Sequence, residues 1–165
     1  GTQKRYKAQD MECYEGATMI KTFRGQIADG AQDTIVLHTN DGSTGYRIVK
    51  FQVMGITENE IYESTIKIYK TDQTGSIDAN VDFSDNHLLG AILYGDTGGS
   101  SIFSQQTVIF DNEIFNQDIY VTYKSIAAAS DMNYYIELEQ IKLDLSASTV
   151  ATLKDIRNIE QPPLG

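Results

Sequence analysis

The sequence predicts an all-β protein, an antiparallel β-sandwich of jelly-roll type to which a short C-terminal helix is added. Its clearest signal is the alternation of apolar and polar residues between positions 117 and 145. The apolar positions are Ile119, Val121, Tyr123, Ile136, Leu138, Ile141, Leu143 and Leu145. A period of two is typical of strands with one buried face. Short strands at even spacing, with turn residues between them, favour a sandwich or a barrel.

Two irregularities are predicted within these strands. The alternation slips by one residue at Gln140, and Ile141 would then face the wrong side of a continuous strand. A β-bulge restores the phase by adding one residue, and we predict one at Gln140. A comparable change of phase between Ile48 and Phe51 favours a second bulge near Val49.

The first half of the chain is predicted to form four strands. They cover residues 18–23, 34–38, 46–53 and 64–70. The second and third strands flank the sequence Asn40-Asp41-Gly42. Because glycine accepts the positive φ of a tight turn, we predict that these two strands pair as a hairpin. The fourth strand alternates β-branched and charged residues, which is typical of a strand with one face in water.

The second half is predicted to continue with short elements. Strands are predicted at 107–110 and 117–124, a buried strand or a short helix at 88–94, and a helical turn or a loop at 126–129. Near the end, Val150, Leu153 and Ile156 recur every third residue after two serines that are suited to cap a helix. This spacing predicts the short C-terminal helix.

Length, charge and cysteine content limit the class of protein. The 165 residues fit one domain, predicted at 16–160 between polar tails at 1–15 and 161–165. A formal net charge of −10 disfavours nucleic acid and anionic membranes as partners, because both would repel the chain. The single cysteine, Cys13, excludes an internal disulfide, so we expect folding in a reducing cytoplasm. No signal peptide or membrane-spanning apolar run is seen.

Residues with catalytic potential are few, and we expect no enzyme. His38, His87 and Cys13 show no metal-ligand spacing, and nothing around the cysteine suggests an activated thiol. Glu137 and Glu139 lie on the same side of a strand, about 7 Å apart, which would suit a hydrolase. Since apolar residues occupy the other side of that strand, the simpler interpretation is that both acids form its solvated face.

An acidic segment is the candidate metal site. Asp72, Asp78, Asp82 and Asp85 cluster in one loop, and Ca²⁺ prefers such oxygen ligands. Their order is not that of an EF-hand, so a solvated acidic loop is the simpler interpretation. The glycine-rich loop at 95–100 lacks the lysine and the helix expected of a phosphate-binding loop. We therefore expect no cofactor.

Tyrosine is the residue type that suggests binding. The chain has ten tyrosines, and we take Tyr94, Tyr120 and Tyr134 as candidates for an interaction surface. An exposed tyrosine offers a sugar or another protein a large face at low entropic cost. Scattered surface tyrosines without a function are the alternative.

Three runs in the chain resemble virion structural proteins of tailed phages that infect marine bacteria. They are residues 115–123, 132–139 and 151–157. The resemblance implies a β-rich particle component, such as a head decoration, neck or tail protein, that assembles symmetrically, and it implies no active-site residues. We therefore expect a homo-oligomer (a trimer, pentamer or hexamer) that contacts other virion proteins and passes from the host cytoplasm into the virion.

Two other functions are kept as hypotheses. A carbohydrate-binding β-sandwich would use exposed tyrosines, with calcium held by the acidic segment between Asp72 and Asp85 as a further option. A hydrolase would use Glu137 and Glu139 as its two carboxylates. The leading hypothesis remains a structural protein that works by self-association, because edge strands and tyrosine-rich faces supply lateral contacts.

Overall fold

The computed structural model describes residues 19–37, 42–57, 60–98, 104–127 and 129–143. Eight strands lie within them: β1 (Met19–Ile27), β2 (Gln32–Ile35), β3 (Thr44–Gly55), β4 (Tyr62–Tyr69), β5 (Leu88–Asp96), β6 (Ser104–Phe110), β7 (Ile119–Ser125) and β8 (Met132–Lys142). The described residues include no helix, and thus none that is long and apolar enough to cross a membrane. The all-β prediction is confirmed. The predicted C-terminal helix and both predicted tails lie outside these residues.

The strands form two antiparallel sheets, as in a β-sandwich. The small sheet has the order β1-β8-β3, and the large sheet has the order β2-β7-β4-β5-β6. β1 pairs with β8, β2 with β7 and the consecutive strands β4 and β5 with each other, as in a long hairpin that has been rolled up. This nesting is typical of a jelly roll.

The strand β6 departs from the nested pattern. Continued nesting would pair it with β3, but β6 pairs with β5 along its whole length, from Ser104 opposite Asp96 to Phe110 opposite Gly90. β3 is therefore the last strand of the small sheet, and it lies against β5 and β6 of the large one. One side of the sandwich is consequently left open between the edge of β3 and β6.

One buried cluster of the described residues fills the space between the sheets. Its side chains with no exposed surface are Ile66, Ile68, Ile92, Ile119, Val121, Tyr123, Met132, Ile136 and Leu138. Five of these are positions at which the sequence alternates in β7 and β8, so the strongest signal in the sequence located the core correctly. Apolar burial of this kind is the dominant favourable contribution to folding.

The hairpin predicted around Asn40-Asp41-Gly42 is wrong. β2 pairs with β7 in the large sheet, whereas β3 pairs with β8 in the small sheet, so the connection between them crosses from one sheet to the other. The turn residues favour a local reversal of the chain, but they do not select the partner strand. The partner is selected by distant strands whose apolar faces complete the core.

The register between β3 and β8 shifts at Val49, as predicted. Ile48 pairs with Leu138 and Lys50 with Glu137, so Val49 is the extra residue of a bulge. Because of the extra residue, Ile48, which precedes the bulge, and Phe51, which follows it, both face the core. The second predicted irregularity near Val49 is thus confirmed.

The bulge predicted at Gln140 is wrong. Gln140 and Ile141 pair with consecutive residues of β3 without a change of register, and Ile141 faces away from the core opposite Gly45. A Cβ atom on Gly45 would lie 2.7 Å from Cγ2 of Ile114 and 3.2 Å from Cδ1 of Leu143. Apolar residues therefore change to the outer face of β8 at Ile141 because side chains such as those of Ile114 and Leu143 cover that part of the face.

β4 is buried on both faces, so the predicted wet face is also wrong. Thr65 and Lys67 point away from the core, yet each is only 4 % exposed. They are covered by residues 71–87, which lead from β4 to β5 and which we name the covering segment. The Thr65 hydroxyl donates a hydrogen bond to the carbonyl oxygen of Ala79 at 2.7 Å. A charged residue in an alternating pattern predicts exposure only where no other part of the chain folds over it.

Candidate functional site

Lys67 holds the covering segment against β4. Its ammonium group donates to Oδ1 of Asp78 at 3.0 Å and to the carbonyl oxygen of Asn80 at 2.7 Å, and it lies 5.4 Å from the ring centre of Tyr69. Burial disfavours the charged form, but the contacts with Tyr69 and Asp78 outweigh it and raise the pKa of Lys67. The Lys67 ammonium group thus neutralises Asp78, one of the four aspartates that the sequence predicts as candidate calcium ligands.

The four carboxylates predicted as calcium ligands each have another partner. These partners are Nε2 of Gln32 for Asp72 (2.7 Å), Nζ of Lys67 for Asp78 (3.0 Å), the amide of Ser84 for Asp82 (2.9 Å) and the amide of His87 for Asp85 (2.9 Å). Hydrogen bonds from Lys67 and Ser84 lower the pKa values of Asp78 and Asp82, respectively. Within the described part of the chain, no three His, Cys, Asp or Glu side chains are grouped to hold a metal ion. The structure therefore does not bring the four together as a calcium site.

The two acids of β8, Glu137 and Glu139, do not form the solvated face that the sequence predicts. The Glu139 side chain is only 11 % exposed and forms a salt bridge with Nε of Arg47. Glu137 is half-buried and lies opposite Lys50 of β3. Because a guanidinium group already engages one carboxylate of the pair, the geometry adds no support to the hydrolase hypothesis.

The other residues singled out for chemistry are not brought together. Nδ1 of His87 lies 3.3 Å from Oδ1 of Asp85, whereas Cys13 and His38 lie outside the described residues. The glycine-rich loop is described as far as Gly98, whose amide donates to Oδ1 of Asp96 at 2.9 Å. This bond is the local contact of an Asx turn, in which a side chain replaces a backbone acceptor.

Two of the three tyrosines predicted to form a surface are buried. Tyr94 and Tyr134 are 6 % and 8 % exposed. The ring of Tyr94 packs edge-on against Tyr62 at 5.5 Å, and the hydroxyl of Tyr134 donates to Oδ2 of Asp33 at 3.0 Å. Burial and the neighbouring carboxylate of Asp33 raise the pKa of Tyr134. Tyr120 is half-buried, and its part in an interaction surface stays a prediction.

Among the described residues, Tyr135, the neighbour of Tyr134, lies on the outer face of the small sheet. Tyr134 is in phase with Ile136 and Leu138, so period-two alternation turns Tyr135 away from the core. This alternation is visible in the sequence alone. It could have identified Tyr135 instead of Tyr134 as the surface residue.

A groove of about 1050 Å³ lies over the outer face of the small sheet around Tyr135. Its lining includes two rows of residues that are paired across β1, β8 and β3, namely Arg24-Tyr135-Gln52 and Gln26-Asn133-Met54, with Lys50 beside them and with Gln106 and Val108 contributed by β6. Nζ of Lys50 lies 5.8 Å from the centre of the Tyr135 ring. The groove thus combines aromatic residues, of which Tyr135 faces outward, with amides and cations.

The edge of β3 beside the groove is occupied by side chains. Nε2 of Gln106 donates to the carbonyl oxygen of Val53 at 2.9 Å, and the amide of Gly55 donates to the hydroxyl of Tyr94 at 3.4 Å. These backbone groups are the ones that an added strand would need for pairing. The side chains of β5 and β6 therefore protect this edge.

The edge formed by β6 is different, because its side chains are exposed on both faces. Val108, Ile109 and Phe110 are 37 %, 49 % and 37 % exposed, and Leu93 of β5 is 49 % exposed beside them. A depression of about 410 Å³ next to this strand is lined by Ile109, Phe110 and the exposed Phe83, among others. An edge strand with apolar side chains exposed on both of its faces is a candidate interaction surface.

Comparison of the sequence with protein-family models, with curated proteins and with solved structures found no match.

Proposed function

We propose that this protein is a non-enzymatic structural component that self-associates through β6. The observation that carries the proposal is that β6 is an exposed edge strand with the apolar residues Val108, Ile109 and Phe110 at its end. An edge strand presents unpaired backbone groups that form a template for another strand. A second copy of the same chain is the occupant that we assign to it.

The edge strands differ in charge, and this difference favours β6 as the contact. Among the edges of the two described sheets, β1 contains Lys21 and Arg24, β2 contains Asp33, and β3 contains Arg47 and Lys50. Charges on an edge are a common protection against pairing with other chains. The β6 sequence, SQQTVIF, has no charged residue, no proline and no glycine.

The overall charge favours a neutral contact strand for self-association. Two copies that each carry a net charge of −10 repel one another at long range. An uncharged strand adds no local repulsion, and pairing would bury apolar side chains from both copies. Two β6 strands paired antiparallel across a two-fold axis would join the large sheets of two protomers into one.

The resemblance to virion structural proteins of tailed phages gives this assembly its biological setting. A particle component works through repeated symmetric contacts, and a two-fold β6 contact is one such element. Of the expected trimer, pentamer and hexamer, the hexamer with dihedral symmetry is the one that contains two-fold contacts. We therefore propose a head decoration, neck or tail protein built on β6 pairs.

The test is the solution mass, measured by light scattering coupled to size exclusion across a concentration series. We expect the native chain to form an oligomer of defined mass, and Ile109→Lys to shift it to the monomer, because each copy would then carry a charged side chain on its contact strand. Ile126→Lys is the matched control, since Ile126 is 72 % exposed in the loop after β7 and lies outside β6.

Three outcomes would contradict the proposal. The native chain would remain a monomer at every concentration, or Ile109→Lys would assemble as the native chain does, or the native chain would give a broad range of masses without a defined stoichiometry. Thermal melting of both variants shows that each is folded when its mass is measured.

A further inference from the structure

The groove around Tyr135 is a second site, and we propose that it binds an anionic polysaccharide. This site is tested separately from the self-association contact probed with Ile109, because neighbouring residues of a strand point to opposite faces, and Gln106 and Val108 are the residues of β6 that line the groove. The proposal combines three properties of the groove: its charge, its hydrogen-bonding groups and its blocked strand edge.

The charge of the groove is opposite to that of the protein. Arg24 and Lys50 line it, and no aspartate or glutamate is present among the described residues of the lining. The nearest acid in the register is Glu137, which lies opposite Lys50 on β8 but outside the lining. In a chain with 23 acidic and 13 basic residues, a site with two cations attracts anions locally. An arginine binds carboxylate or sulfate groups through two parallel hydrogen bonds.

The uncharged groups of the groove suit a sugar. Tyr135 lies at the centre of its row, between Arg24 and Gln52, and offers an aromatic surface to the apolar face of a pyranose ring. Planar amides of Gln26, Gln52 and Asn133 surround it, and each amide both donates and accepts hydrogen bonds, as neighbouring hydroxyl groups require. A few polar groups around an apolar surface are typical of sites that fix the orientation of a small ligand.

The blocked edge of β3 argues against an extended peptide as the ligand. Peptides that add to a sheet gain affinity from backbone hydrogen bonds. Here the carbonyl oxygen of Val53 already accepts from Gln106, and the amide of Gly55 already donates to Tyr94. A ligand in the groove is therefore recognised by side chains, which favours a saccharide over a strand.

The experiment measures binding of three polysaccharides by isothermal titration, with and without a chelator. The probes are polygalacturonate, which carries carboxylates, dextran sulfate, which carries sulfates, and neutral dextran. We expect one or both anionic polymers to bind and dextran to bind weakly or not at all. Binding should be unchanged by the chelator, because the groove lining holds no carboxylate among the described residues.

The variants separate a built site from general attraction of charge. We expect Tyr135→Ala to weaken binding about tenfold, as removal of one central aromatic contact does. Arg24→Gln should weaken it comparably, whereas Lys142→Gln, which removes one positive charge at the exposed end of β8, should leave it nearly unchanged. Melting temperatures are measured alongside to show that the variants are folded.

Polyglutamate is the probe for the competing class of ligand. Binding of polyglutamate as tightly as the anionic polysaccharides, equal losses in Arg24→Gln and Lys142→Gln, or full binding by Tyr135→Ala would each overturn the proposal. The absence of binding to both anionic polymers would overturn it as well. None of these results bears on the oligomeric mass, so the two proposals fail separately.

Discussion

Gly55 of β3 and Gly95 of β5 are strand glycines with opposite surroundings. A Cβ atom added to Gly55 would lie 2.7 Å from Cε2 of Tyr62, whereas one added to Gly95 would meet no described atom within 4 Å. The ring of Tyr62 is 1 % exposed, and its hydroxyl accepts a hydrogen bond from the amide of Ile56 at 3.1 Å. The ring is therefore held where the new methyl group would have to go.

We predict that the same substitution has opposite effects at the two glycines. Gly55→Ala should lower the free energy of unfolding by about 1 to 3 kcal/mol, because it overpacks a buried contact. Gly95→Ala should raise it by up to about 1 kcal/mol, because alanine loses less conformational entropy on folding. Urea denaturation of both variants measures the difference, and equal effects would show that Tyr62 moves aside.

The covering segment is an element whose attachment depends on pH. Its ionic contact with β4 is the pair Lys67 and Asp78, in which the pKa of Lys67 is raised and that of Asp78 is lowered. The Asp78 contribution is present above its unfolded pKa near 3.8 and is lost as the pH falls through the lower folded value. The Lys67 contribution is present below its unfolded pKa near 10.5 and is lost as the pH rises through the higher folded value. Both contributions are therefore complete at neutral pH.

We predict that Asp78→Asn removes part of the acid sensitivity of the protein. The native chain should lose stability between about pH 6 and about pH 3, and the variant should lose less by a few tenths to about 1 kcal/mol, a small value because Asp78 is largely solvated. Denaturant unfolding at both pH values gives the comparison. Asp131→Asn, at an exposed aspartate before β8, is the control, and an acid response like that of Asp78→Asn would contradict this assignment.

At the scale of the whole molecule, the open side of the sandwich between β3 and β6 is bridged by a side chain rather than by strand pairing. The small sheet ends at β3, and β6 reaches it through the hydrogen bond from Gln106 to the carbonyl oxygen of Val53. The neighbouring Gln105 lies opposite Gly95 on the other face of the large sheet, away from this contact. The two glutamines therefore form a natural comparison.

We predict that Gln106→Ala loosens the open side of the sandwich. Loss of this hydrogen bond should cost about 1 kcal/mol and speed amide hydrogen exchange in β6 and at the adjacent edge of β3. Gln105→Ala should change neither quantity. Unaltered exchange rates in Gln106→Ala would show that pairing with β5 alone keeps β6 in place.

Predictions from the sequence succeeded where the signal was local and repeated. The alternation at Ile119, Val121 and Tyr123 located buried positions, and the change of phase around Val49 located a bulge. These predictions failed where a segment distant in the chain determines whether a side chain is buried or exposed. Lys67 carries a charge in an alternating strand, and only the fold shows that the covering segment buries it.

The candidate sites show the same division. The sequence singled out tyrosine as the residue type for binding, but Tyr94 and Tyr134 are core residues and Tyr135 lines the groove. The position of Tyr135 follows from alternation. Its neighbours Arg24 and Gln52 come from strands that are distant in the chain, and no local pattern places them on either side of it.

By itself the sequence determined the all-β class, the buried faces of β7 and β8, and the acidic charge, because residue composition and period-two alternation act within single strands. The tertiary structure alone decided that β2 and β3 belong to different sheets, that β6 leaves the nested order to pair with β5, and that the groove is cationic. The physical reason is that pairing between strands depends on long-range burial of apolar faces, for which many partners are compatible with the same local pattern.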